Sequence, residues 1–128
     1  MNVRFVTKTV HAYLDYPVAL SLMATPFLLG VGRANPLALW LSVATGVAAL
    51  LLTLLTDHRT GVVRVLPYGL HLAVDRLVGV VFVAAPFVFR FSGLDAAYYW
   101  VNGAVVLLVT FVLNAPERDA DRADLAAA

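Results

Sequence analysis

The chain has 128 residues, 62% hydrophobic and 13% charged, with a mean hydropathy of +0.86; soluble domains run at roughly 45–50% apolar. That composition belongs in a lipid bilayer, and a net charge of +1 leaves no basic surface for nucleic acid. The absence of cysteine removes disulfides, thiolate metal sites and a thiol nucleophile together.

In chain order, residues 1–10 form an amphipathic lead carrying Arg4 and Lys8, with Thr7 or Thr9 as the cap of the first helix. The lead does not read as a removable signal, because Arg4, Lys8, His11 and Asp15 interrupt the place where a compact apolar core would begin. The first span is expected over about 11–31, close to the ~20 residues that cross a ~30 Å hydrocarbon layer. Pro17 and Pro26 lie inside it and predict bends rather than breaks. Gly30, Gly32, Arg33 and Ala34 make the turn. Asn35-Pro36 is a start signal, Asn capping free amides and Pro supplying a preset φ, and opens a second span over about 36–56. Trp40 lies one turn inside it, at the depth favoured by indoles, and Ala44, Gly46, Ala48 and Ala49 give it a small-residue face. A polar connection over 57–69 leads to a third span at about 70–91. Ser92 to Asp95 turn the chain, with Asp95 as the expected cap of a fourth span at about 95–113. Tyr98, Tyr99 and Trp100 read there as an interfacial aromatic belt. Residues 115–128 form a charged tail, solvated or helical.

The two halves repeat. His11, Asp15, Val18, Ala24, Pro26, Phe27, Trp40 and Ala44 recur, 60 residues on and without a gap, as His71, Asp75, Val78, Ala84, Pro86, Phe87, Trp100 and Ala104. The expected fold is therefore all-α: four transmembrane helices arranged as two tandem helical hairpins. Lys and Arg concentrate in the lead, the central loop and the tail, which predicts both termini and the loop on the cytoplasmic side of the cell membrane. Two crossings per copy make the repeats parallel, related by an axis along the membrane normal. The small-Pro-aromatic tripeptides Thr25-Pro26-Phe27 and Ala85-Pro86-Phe87, each followed by a glycine-containing turn and a Trp-initiated helix, resemble the SPW-repeat membrane proteins over about residues 11–114. Their first and third positions depart from the Ser-Pro-Trp of that name. The resemblance implies an integral membrane architecture and carries over no catalytic or binding residue.

His11 and Asp15, like His71 and Asp75, are four apart and so share a helix face. Three readings stay open for these pairs. They are helix-end structure, with Asp against the positive end of the dipole; or a haem, pigment or metal site with His11 and His71 as ligands and the carboxylates orienting them; or part of a proton or ion path. Asp57-His58-Arg59 reads as a solvated loop and topology signal. Arg76 is expected to snorkel to headgroups, and Ser42 and Asn102 to hydrogen-bond between helices. There is no phosphate loop, nucleophile elbow or zinc-protease helix. The expected role is that of a small non-enzymatic membrane protein acting by helix packing, with itself or within a larger complex; the alternative is a cofactor or metal binder using His11 and His71.

Overall fold

The computed structural model describes residues 3–115 and is built from four long helices. They are α1 (Lys8–Leu29), α2 (Pro36–Leu55), α3 (Tyr68–Val88) and α4 (Gly93–Leu107), the last continued by a π-helical turn over Leu108–Val112. Each span is long and apolar enough to cross a membrane. The charged tail, with the Arg118 and Arg122 used in the orientation argument, lies outside the described residues.

Local chemistry sets the helix ends. Thr7 accepts from Val10 N, and Asn35 accepts from Leu37 N with Pro36 at the first helical position. Gly30 ends α1 in the left-handed region, where a side chain would be strained, and Val31 N turns back onto the Pro26 carbonyl. Pro26 does not break α1. Having no N–H, it leaves the Leu22 carbonyl without its usual helical donor; Ser42 of α2 donates to that oxygen (2.8 Å) and accepts in turn from the Tyr98 hydroxyl of α4 (2.6 Å).

Within each hairpin the helices touch closely. A Cβ built on Gly46 would stand 2.8 Å from the Ala19 carbonyl oxygen of α1, and one on Gly103 would stand 3.0 Å from the Gly79 carbonyl oxygen of α3. Such backbone approach is how membrane helices gain packing energy without a hydrophobic drive. Phe27 packs edge-on to Trp40 and Phe87 against Trp100, so the repeated Pro-Phe and Trp positions form one outward-facing contact per hairpin.

The two hairpins join at their ends. At the turn end, α4 begins two residues earlier than expected, with Ser92 as its cap position. Asp95 does not cap its own helix. Its buried carboxylate instead accepts from Gly32 N (2.8 Å) and Asn35 N (3.2 Å), amides that the glycine turn of the first hairpin leaves free. Tyr98 and Tyr99 are likewise not a belt: both are buried, and Tyr99 donates to the Ala38 carbonyl (2.7 Å). Trp100 alone of the three faces outward. Asn102 bonds to the Tyr98 carbonyl of its own helix, not to another. At the loop end, a residue just before each hairpin pairs with residues at or just past the end of the other one. Val6 N donates to Leu113 O and Ala115 N to Val6 O (both 2.9 Å), while Asp57 N donates to Leu66 O and Leu66 N to Leu55 O (both 2.8 Å). Val6 and Leu66 are themselves 60 residues apart, so the seal obeys the repeat. Arg76 does not reach for headgroups. It donates to the Thr110 carbonyl (2.7 Å) in the π-helical turn and lies over the Phe111 ring, because that turn changes the direction of the local carbonyls.

Candidate metal centre

His11 stands three residues into α1 and His71 three residues into α3. Each is followed one turn later by its aspartate, and both faces point inward. All four side chains meet where the hairpins face one another. His11 Nε2 donates to Asp75 Oδ2 (2.8 Å) and lies 3.1 Å from Asp15 Oδ1. His71 Nε2 lies 3.2 Å from both Asp15 Oδ2 and Asp75 Oδ2. Each histidine thus touches its own carboxylate and that of the other copy. Only the His11–Asp75 contact has the alignment of a hydrogen bond; the others bring donor atoms together around a common point.

That arrangement can be compared with the demands of an ion. One donor atom from each of the four residues lies within 4.8 Å of the other three. A tetrahedral ion with bonds of about 2.0–2.1 Å separates its ligand atoms by roughly 3.3 Å, near the spacings found here. The orientation of His71 also suits ligation. Thr56 donates its hydroxyl proton to the Leu52 carbonyl (2.6 Å), so at 2.7 Å from His71 Nδ1 it accepts; Nδ1 carries a proton there, and the ring is held with Nε2 turned to the centre. A porphyrin does not fit. The carboxylates occupy the space between the two Nε2 atoms where its plane would pass.

Below the cluster, between the hairpins, lies a cavity of about 540 Å³. Pairs 60 residues apart line it together, among them Leu14 with Val74, Val18 with Val78 and Ala49 with Val109, so the cavity and the cluster share the pseudo-two-fold axis. Its hydroxyls are committed to their own helices, Thr45 to Leu41 O, Thr53 to Ala49 O and Thr110 to Val106 O. Beyond Leu22 the core of Phe82, Ala85, Tyr98 and Tyr99 closes the far end. The walls therefore offer an ion no chain of free polar groups, and the chemistry is concentrated at the cluster.

The structure brings together all four residues singled out in the sequence. It adds two that were not. Thr56 holds His71, and His58, read from its charged neighbours as part of a solvated loop, is buried with Nε2 at 3.3 Å from Asp15 Oδ2. The available signal was that His58 is the one histidine of three without a mate 60 residues away.

A family model described as the SPW repeat domain matches residues 9–115. Comparison with curated proteins and with solved structures returns no match. The matched span takes in both hairpins and the entire histidine–aspartate cluster, and the chain belongs to the SPW repeat family.

Proposed function

We propose that this protein binds a divalent transition-metal ion inside the membrane, with His11 and His71 supplying Nε2 and Asp15 and Asp75 supplying carboxylate oxygens. The observation that carries this reading is the convergence of four donor atoms, two from each repeat, on one point of the pseudo-symmetry axis. Charge supports it. Two carboxylates beside two neutral imidazoles balance a doubly charged ion, which lowers the cost of holding charge at membrane depth. The set of nitrogen and hard oxygen donors suits zinc, cobalt, iron or manganese better than copper(I), which prefers sulfur. The lysine and arginine distribution supports an orientation with the centre toward the cytoplasmic face of the cell membrane.

The test is metal analysis of protein extracted gently from its native membrane. We expect near one ion per chain, lost in His71→Ala and in the Asp15→Asn, Asp75→Asn double variant. A second reading is favoured by the cross-copy contacts, His11 to Asp75 and His71 to Asp15. There the cluster is an ion-pair clasp between hairpins, in a protein that acts by packing with itself or a larger complex. Metal-free wild-type protein that also takes up no added ion would overturn the first reading and leave the second.

A further inference from the structure

The metal centre makes no use of the cavity below it. That cavity measures about 540 Å³, inside the range of roughly 300–1,000 Å³ that small-molecule sites occupy, and like them it is apolar with its polar groups gathered in one place. Leu14, Val18, Val74, Val78, Val105 and Val109 are among its walls. The threonines that also reach it, Thr45, Thr53 and Thr110, are bonded to carbonyls of their own helices. Such walls suit hydrocarbon better than water, which needs two to four polar partners; even an apolar cavity of about 150 Å³ stays dry and takes up benzene. The cavity also has a side entrance. Leu14 and Val18 of α1 and Val105 of α4 line it and are still 42–52% exposed, whereas Val74, Val78 and Thr45, their mates in the α2–α3 seam, are half-buried. The wider gap is therefore the one between α1 and α4. Both helices are membrane spans, so that gap faces hydrocarbon and admits molecules dissolved in the bilayer.

We propose that this cavity binds a single-chain isoprenoid alcohol, which enters from the bilayer through the α1–α4 gap and lays its hydroxyl against the carboxylate end. Size comes first. Scaled from the six carbons of benzene in about 150 Å³, the cavity holds about twenty carbon atoms. From the level of His11 to that of Leu22 it runs about 16 Å along the helices, so its 540 Å³ correspond to a mean section of roughly 33 Å². A straight file of methylenes, about 4 Å wide at van der Waals contact, fills about half of that section; a methyl-branched chain fills it better. The mouth decides between molecules. Leu14 and Val18 lie about 9 and 15 Å along α1 from Lys8, too deep for a phospholipid headgroup, and a phospholipid chain reaching in from the interface would leave much of its length outside. The polar end decides the head. Asp15 and Asp75 reach the cavity, and a carboxylate that gives one oxygen to an ion keeps the other as an acceptor. A hydroxyl donates to it without bringing charge to membrane depth, whereas a carboxylate or phosphate head would meet like charge. The inference stands apart from the metal reading, since it needs the cavity and the carboxylates but no ion.

The probe is geranylgeraniol carrying a photoactivatable diazirine in its tail. Full-length protein in phosphatidylcholine vesicles is irradiated with it, and peptide mass spectrometry locates the adducts. Labelling is expected to centre on Leu22 and Val78, toward the closed end of the cavity, which places the hydroxyl at the cluster. Excess unlabelled geranylgeraniol should abolish it, and the carboxylic acid of the same chain should not. Phosphatidylcholine with the diazirine in one acyl chain should label outer residues such as Phe87 and Val88 instead. Ala48→Leu and Ala49→Leu, which fill the cavity, should each cut labelling about tenfold or more, the effect of displacing roughly two buried methylenes; Val80→Leu on the outer surface should leave it unchanged. Two cavity variants guard against one failing to fold. Cavity labelling by the phospholipid probe, or equal competition by the acid, overturns the class of ligand. Wild-type labelling confined to outer residues, or undiminished in both cavity variants, overturns the site. Protein that takes up no metal yet is labelled in the cavity leaves this inference standing while the metal reading falls.

Discussion

Two hydroxyl residues show how much rests on single hydrogen bonds. Thr56 orients His71 by accepting from Nδ1, so Thr56→Val should weaken metal binding by about 10–100-fold while Thr56→Ser preserves it, as outer partners of ligating histidines usually do; chelator competition on the two variants checks this. Ser42 serves stability. Ser42→Ala strands the Leu22 carbonyl and the Tyr98 hydroxyl together, at an expected cost of about 1–3 kcal/mol. In a Pro26→Ala background the new N–H can bond to Leu22 O, so the Ser42→Ala cost should shrink; a double-variant cycle of unfolding in detergent measures that coupling, and equal costs in both backgrounds would refute the link. At this scale the sequence was legible where spacing carried the information. His11, Asp15, His71 and Asp75 stood out because two i, i+4 pairs recur at a fixed offset. His58 did not, because Asp57 and Arg59 beside it are ordinary marks of a solvated loop, and only tertiary contacts through Thr60 and Tyr16 pull its ring inward.

Helix identity was legible from apolar length and from caps that act within a few residues, such as Thr7 and Asn35-Pro36. Asp95 was misread for the same reason. Capping preference describes a residue's own helix, whereas the free amides at Gly32 and Asn35 lie in the other repeat and no local pattern points to them. The tyrosines followed suit: aromatic residues near a helix start are common at membrane interfaces, but Tyr98 and Tyr99 are turned toward α2 and buried there. Asp95→Ala should therefore destabilise the join between hairpins and not merely α4. We expect a loss of about 1–3 kcal/mol from the stranded amides, with helix content retained and hydrogen exchange at Gly32 and Asn35 accelerated. Faster exchange confined to the first turn of α4 would show Asp95 acting as a local cap after all.

The whole molecule is two tight hairpins fastened at both ends around a cavity on their shared axis. The repeat announced the hairpins and the axis, but the space between them was hidden. Val78 lines the cavity while Val80, two residues on, is exposed on the outer surface, and an apolar side chain facing a cavity is written with the same letter as one facing lipid. One helix can test this division. On α2, Gly46 sits in the seam with α1 and Ala49, nearly one turn later, lines the cavity. Gly46→Leu must push the Ala19 backbone and Met23 away, since even a Cβ would stand 2.8 Å from the Ala19 carbonyl oxygen, and overpacking of this kind costs about 1–3 kcal/mol or more. Ala49→Leu adds the same branched side chain toward open volume and should move the unfolding midpoint little, with metal content kept because the centre lies at the cavity's end. The two variants, compared by thermal unfolding in the same detergent, should separate clearly, Gly46→Leu melting well below Ala49→Leu. Equal losses would mean that the hairpins press together along their length, and that the cluster sits in a closed core instead of at the head of a cavity.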